Sequence, residues 1–306
     1  MKREKVVLAG GTGFIGRYLA ARFESEGYTV VIVSRTEGLS WNDAAGVRNA
    51  LEGAALLINL AGKSVDCRYT PANKEAIMRS RTETTQTLGE ALLRCEQPPP
   101  LWLNSSTATI YRHAEDRPMT EAGGELGSGF SVSVATAWED TFFAFACPQT
   151  RQVALRIAIV LGEGGGAMRP YRNLVRWGLG GRQGSGHQRF SWIHIEDLYR
   201  AIRFIAQEAH LQGPVNCSAP FPVTNRQLMA SLRRQLYMPF GMPAPAWLLK
   251  AGARLIHTET ELVLKSRWVL PEKLLASGFR FRYPRLDAAL AQIINGWPAT
   301  SLPELS

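Results

Sequence analysis

Short apolar runs alternate with helically spaced segments along the first hundred residues. Val6-Val7-Leu8-Ala9 and Thr29-Val30-Val31-Ile32-Val33 are continuous apolar stretches, the pattern of parallel strands buried on both faces. Between them Phe14, Ile15, Tyr18, Leu19, Ala21 and Phe23 recur at mostly three- and four-residue steps, which predicts a helix that Gly27 is placed to end. Ala54-Ala55-Leu56-Leu57-Ile58 predicts another buried strand and Lys74 to Cys95 a long helix. After Pro98-Pro99-Pro100, Leu101-Trp102-Leu103-Asn104 predicts a further strand, and so does Arg156 to Gly162. Met229, Leu232 and Leu236 have the spacing of a helix core.

The turn between the first strand and helix carries chemistry. It reads Gly10-Gly11-Thr12-Gly13-Phe14-Ile15-Gly16, with glycines at every third position. Gly10 permits the tight turn, Gly13 lets backbone approach a pyrophosphate, and Gly16 lets the helix pack on the strand. The helix N-terminus offers unpaired N–H groups and a partial positive charge to phosphates. Strand, glycines, helix and second strand in this order predict a dinucleotide site formed by residues 10–16. The second strand ends in Ser34-Arg35, not in the carboxylate that binds an NAD ribose. Arg35 suits the 2′-phosphate of NADP(H), with Ser34 adding a hydroxyl, while Glu37 is the residue an NAD reading would use. The expected fold is α/β: a Rossmann-type doubly wound parallel sheet over residues 1–165, then a smaller α-rich C-terminal domain over 166–306, with part of the later chain returning to the sheet.

Composition narrows this picture. Of 306 residues, 45% are hydrophobic and 20% charged, a globular balance. The apolar run 54–61 is too short to cross a bilayer, so no membrane association is expected, and the first residues lack a signal-peptide pattern. Cys67, Cys95, Cys147 and Cys217 have neither C-x-x-C spacing nor a histidine partner pattern, so no metal is expected and cytoplasmic, reduced thiols are. The net charge is +9 without a basic tail or a nucleic-acid-binding signature. A polyphosphate cofactor and an anionic small-molecule substrate suit that field better than nucleic acid.

Further motifs carry a resemblance. Asn59-Leu60-Ala61-Gly62 closes a strand as in the extended and atypical short-chain dehydrogenase/reductases, which implies that Leu60, Ala61 and Gly62 contact the cofactor. In extended members an Asn lies four residues before a Thr on the following helix. Here Arg81 precedes Thr85, where its guanidinium reaches either cofactor phosphates or an anionic substrate. Ser105-Ser106-Thr107-Ala108-Thr109-Ile110-Tyr111 is similar to a segment of sugar-nucleotide epimerases, which makes Thr107 and Tyr111 the candidate catalytic residues. The usual Tyr-x-x-x-Lys couple is missing. Counting from Glu139, its slots fall on Ser131 and Ala135, and neither side chain replaces its counterpart.

Later segments make the resemblance specific. They include Gly164-Gly165-Gly166, Gly178-Leu179-Gly180-Gly181, Gly184-Ser185-Gly186-His187-Gln188, Phe190-Ser191-Trp192-Ile193-His194-Ile195-Glu196-Asp197-Leu198 and Val269-Leu270-Pro271-Glu272-Lys273. With them the chain resembles the epimerase-like atypical family of bacteria, plastids and vertebrates, whose members bind NADP(H) and also lack the couple. That likeness implies that Val160 contacts the cofactor. Arg112-His113 departs from it and leaves the substrate pocket open to question. His194 is expected to be structural, His187 to sit in a glycine-rich loop over the cleft, and Arg169, Arg172 and Arg176 to share a helix face if Pro170 starts a helix. The expected activity is that of an NADP(H)-dependent oxidoreductase or epimerase with unusual acid/base groups. The alternative is a non-catalytic NADP(H)-binding sensor or regulator.

Overall fold

A computed structural model describes residues 4–245 and 265–296. The first half alternates strands and helices. It runs β1 (Lys5–Ala9), α1 (Phe14–Ser25), β2 (Thr29–Ser34), β3 (Leu39–Ser40), α2 (Ala44–Leu51), β4 (Leu56–Asn59), α3 (Pro71–Leu92), β5 (Leu101–Thr107), α4 (Phe130–Phe143) and β6 (Arg151–Ile157). The second half contains β7 (Ile159–Leu161), α5 (Met168–Arg176), β8 (Arg189–Phe190), β9 (Trp192–His194), α6 (Ile195–Gln207), β10 (Gly213–Cys217), β11 (Val223–Thr224), α7 (Asn225–Gln235), α8 (Glu272–Ala276) and α9 (Leu286–Asn295).

Seven strands form one parallel sheet in the order β3-β2-β1-β4-β5-β6-β10. The order reverses at β1, with β2 on one side and β4 on the other. A crevice at such a switch point, beyond the strands' C-terminal ends, is where open α/β sheets take ligands. This is the Rossmann-type doubly wound sheet expected from the sequence. Apolar side chains bury both faces of the sheet: Val6, Leu8, Leu103 and Leu155 belong to one core cluster, and Val7, Leu57, Trp102 and Ala154 to the other. Their alternation along single strands explains the continuous apolar runs.

The strand read at 156–162 divides. β6 stays in the sheet as far as Ile157, whereas Ile159 to Leu161 pairs with β9 in a separate two-stranded sheet. Chain beyond residue 166 serves two cores. Leu198, Tyr199 and Ile202 of α6, Val215 of β10 and Leu274 of α8 pack into the sheet's core. Met168, Tyr171 and Val175 of α5, Leu228 and Leu232 of α7, and Leu286 and Leu290 of α9 form a second core for the smaller lobe. α5 starts at Met168, two residues before Pro170, which sits in the first turn where its missing N–H has no helical partner. No helix among the described residues is long and apolar enough to cross a membrane.

Candidate functional site

The glycine turn has the geometry its spacing predicts. Gly10 has φ +77°, and a Cβ there would lie 2.6 Å from the Ala61 nitrogen, so the turn and the end of β4 touch. A Cβ on Gly16 would lie 2.6 Å from the Gly11 backbone. Gly13 differs. Its φ of −78° suits any residue, and the nearest atom to a Cβ would be 3.9 Å away. Protein packing does not demand glycine at 13, whereas a pyrophosphate lying on the N-terminus of α1 does. This open cradle fits a dinucleotide. Phe14 packs on the other side against Gly162, Gly165 and Gly166; a Cβ on Gly162 or Gly165 would clash with its ring, and one on Gly166 would lie 3.0 Å from it.

At the end of β2, Arg35 is exposed and makes no ion pair among the described residues. Glu37, the carboxylate of the NAD reading, pairs with Arg17 at 3.2 Å. The Ser34 hydroxyl is engaged within its own turn: it donates to the Glu37 carbonyl at 2.5 Å and accepts from the Thr36 and Glu37 N–H groups. It shapes the loop that presents Arg35, and its single proton is committed there.

A cavity of ≈ 470 Å³ opens past the C-terminal ends of β4, β5 and β6. Ile15, Leu60, Gly62, Arg81, Thr107 and Val160 all line it, so the structure brings together residues singled out from separate motifs. Ser131 and Ala135, the slots of the missing couple, line it too. Ala61 is buried behind this wall, its N–H held by the Asn59 side chain at 3.0 Å. Asn59 also donates to Thr85 and Asn104, and the Trp138 indole N–H donates to Thr85 at 2.9 Å. These bonds tie β4, β5, α3 and α4 together beneath the cavity.

Arg81 reaches in from α3. Its Nη1 donates to the Lys63 and Ile77 carbonyls at 3.1 and 3.0 Å, and its guanidinium lies 5.1 Å from the centre of the Trp138 ring. Burial pulls its pKa down to about 10, with Tyr69 opposing the shift, so it stays charged at neutral pH. Among the described residues, Lys63 and Arg81 are the charged members of the lining, and none of them is a carboxylate.

The two catalytic candidates separate. Thr107 lines the cavity, and its Oγ1 accepts from the Thr109 N–H at 3.1 Å while its own proton meets no acceptor among the described residues. Tyr111 does not reach the cavity, which corrects the expectation for it. It is 2% exposed; its hydroxyl donates to Asn216 and accepts from Arg156, both at 2.9 Å, and burial raises its pKa. Arg156 forms a two-pronged pair with Glu139 at 2.9 and 2.7 Å, and Ser106 donates to Glu139 at 2.6 Å. Burial works against the Arg156 charge, and the Glu139 carboxylate more than reverses it, raising the pKa. Glu139 is thus a structural counter-ion.

Other expected features lie elsewhere. His194 caps α6 by accepting from the Glu196 N–H and reaches Gln292 of α9 at 2.9 Å, so it joins α6 to α9. His187 and the arginines of α5 belong to the smaller lobe and do not line the cavity. Arg112 turns to Asp116 and Glu125 at the surface. Conversely, Lys63 and Tyr69 join the lining from the irregular stretch before α3, where no periodicity or motif had marked them.

Comparisons with known proteins show what the chain as a whole is similar to. Residues 6–217 match the NAD dependent epimerase/dehydratase family, and residues 244–293 match a domain of unknown function, DUF1731. The chain is 34% identical over 305 residues to epimerase family protein SDR39U1 of Bos taurus, covering 95% of this chain and 99% of that protein. It is 31% identical over 302 residues to epimerase family protein YfhF of Bacillus subtilis (strain 168), covering 94% and 97%. The crystal structure of human epimerase family protein SDR39U1 (isoform 2) with NADPH superposes with a TM-score of 0.87 at 32% identity, over 96% of this chain and 100% of that one. A glycine cradle at a switch point, a cavity beside it and similarity along nearly the whole chain place the protein in the NAD-dependent epimerase/dehydratase family, among the epimerase family proteins that include SDR39U1 and YfhF.

Proposed function

We propose that this protein is an NADP(H)-dependent oxidoreductase or epimerase acting on a small molecule in the cavity beside the glycine turn. The observation that carries the cofactor choice is at the end of β2, where Arg35 stands open while Glu37 is held by Arg17. The relative crystallised with NADPH supports the same choice. Residues 10–16 hold the pyrophosphate, Arg35 the 2′-phosphate, and Leu60, Ala61, Gly62 and Val160 the walls around the rest of the cofactor. Bound there, NADP(H) supplies or accepts a hydride.

The chain's own groups then orient the substrate and move the proton. The Thr107 hydroxyl donates a hydrogen bond to the reacting oxygen. A threonine is too weak an acid to deliver the proton itself, and Tyr69 is the phenol among the lining residues. Tyr69 therefore takes the acid/base role that Ser131 leaves vacant. A second reading rests on the same vacancy: with serine and alanine in the couple's slots, the protein binds NADP(H) as a sensor or regulator without turnover.

A fluorescence titration with NADPH and NADH tests the cofactor. Tight NADPH binding and weaker NADH binding are expected, and Arg35→Ala is expected to cost NADPH about 1.5–3 kcal/mol and NADH nothing. Equal affinity for both cofactors, unchanged in the variant, would overturn the Arg35 assignment. Turnover on a carbonyl panel separates the two functional readings. Oxidation of NADPH that falls about 100-fold in Tyr69→Phe supports the enzyme, and no turnover on any carbonyl supports the sensor.

A further inference from the structure

Arg81 is a guanidinium in the lining of a cavity where the described residues offer it no counter-charge. Among the described residues it makes no ion pair, and its protein hydrogen bonds run from Nη1 to two backbone carbonyls. Among the described residues Nε and Nη2 find no acceptor, and Arg81 lines the cavity. The group is nonetheless firmly seated. It rests on the Trp138 ring, and it packs so closely on Gly62 that a Cβ there would sit 3.0 Å from its Cζ. A desolvated cation held rigidly without an anion is costly in the free protein and is repaid when an anion arrives.

The cofactor's phosphates have other partners under the function proposed above. The pyrophosphate belongs to the α1 N-terminus over β1 and the 2′-phosphate to Arg35 at the end of β2. Arg81 instead hangs from α3 against Trp138 of α4, and Trp138 stands one helical turn after Ala135 and two after Ser131. That is the wall where a substrate meets the nicotinamide. The open Nε–Nη2 edge of a guanidinium matches the two oxygens of a carboxylate. Next to it Tyr69, Phe130, Val134 and Trp138 give an apolar, largely aromatic surface, with the Tyr69 and Phe130 rings 4.9 Å apart.

We propose that Arg81 is the substrate anchor of this site, and that the substrate is a small carbonyl or hydroxyl compound with an apolar body and a carboxylate. The carboxylate pairs with Arg81 and leaves unchanged. In the reducing direction the carbonyl carbon accepts the hydride of NADPH and its oxygen accepts a proton, giving an alcohol and NADP⁺. Lys63, in the same lining and also without an ion pair among the described residues, adds to the attraction for an anion.

The inference rests on the cofactor reading, so the test begins with NADPH titration of the full chain. Failure of that step removes the cofactor reading, and the comparison that follows is then run without cofactor. The probes are phenylpyruvate, phenylacetate and benzoate against their carboxamides, read as quenching of bound NADPH fluorescence or, without cofactor, as a thermal shift. At least one acid is expected to bind about tenfold or more tighter than its amide. Arg81→Gln is expected to erase that preference while NADPH affinity stays within about twofold. If the glutamine variant does not fold, Arg81→Lys carries the test: it keeps the charge but loses the fork, and most of the acid preference goes with it. Acids and amides that bind alike in the wild type, or that both fail to bind, overturn the proposal. So does an Arg81 variant that weakens NADPH as much as Arg35→Ala does, because Arg81 is then a phosphate ligand.

Discussion

The two sides of the crevice are held by different means. On the β1–β2 side the backbone sets the shape: Gly10 and Gly16 leave no room for a Cβ, and α1 begins directly at the turn. On the β4–β5–β6 side buried side chains set it. Ser106, Glu139, Arg156, Tyr111 and Asn216 form one hydrogen-bonded chain, and Asn59, Asn104, Thr85 and Trp138 form another. A backbone-built wall tolerates almost any neighbouring side chain, but not a Cβ at the wrong position. A side-chain-built wall can lose a catalytic couple and keep its form, because its rigidity comes from other residues. Ala135 shows this: at the edge of the cavity it is 1% exposed and packs with Tyr111 and Ala158, so the position counted as the lysine slot is held by apolar contacts.

Breaking the side-chain wall gives the largest expected effect. Glu139→Gln removes the charge that neutralises Arg156, and both side chains are about one-tenth exposed. Leaving a buried guanidinium without its partner costs roughly 3–5 kcal/mol. Chemical denaturation measures the loss. A change below about 1 kcal/mol would mean that the network does not hold this wall.

The backbone wall is tested by two substitutions that look alike in sequence. Gly16→Ala forces a Cβ to 2.6 Å from the Gly11 backbone and is expected to cost about 1–3 kcal/mol, with or without cofactor. Gly13→Ala meets no atom closer than 3.9 Å and should leave stability within about 1 kcal/mol. It should still weaken NADPH about tenfold, because the methyl group stands where the pyrophosphate lies. If Gly13→Ala binds NADPH like the wild type, the cradle is not the phosphate site.

The same division governs what the sequence reveals. The backbone-built side is legible because its signals are local: three glycines at fixed spacing, two apolar strands and one helix, all within thirty residues. The side-chain-built side joins residues distant in the chain. Asn216 lies on β10, in the half of the chain assigned to the smaller domain, yet it receives the Tyr111 proton across 105 residues. Tyr111 therefore reads as a catalytic candidate from its motif, and only the fold shows both its bonds spent in the core. Tyr69 is the converse case. It lies in a stretch without periodicity, and the return of the chain from β4 to α3 is what brings it to the cavity.

The smallest expected effect separates the two kinds of construction by pH. His194 is a side-chain joint between α6 and α9. Its Nδ1 accepts from the Glu196 N–H, so in the neutral ring the proton sits on Nε2 and is given to Gln292. Burial lowers its pKa, with Gln292 and Asp197 pulling the other way and Arg282 adding to the fall. The unfolded chain therefore binds the proton more readily than the folded one near an ordinary histidine pKa of about 6.5. The stability this gives is present above that pH and is lost as the pH falls through the lower folded value. Protonation also sets a second donor against the Glu196 N–H and undoes the cap, an effect of about 0.5–2 kcal/mol. The melting temperature should thus drop by a few degrees between pH 7.5 and 5.5. His194→Asn, whose amide oxygen can still cap but does not titrate, should flatten that slope. NADPH affinity at the glycine turn should be the same in both proteins throughout, since backbone N–H groups do not titrate there. An unchanged slope in the asparagine variant would assign the acid sensitivity to another group and leave the α6–α9 joint indifferent to pH.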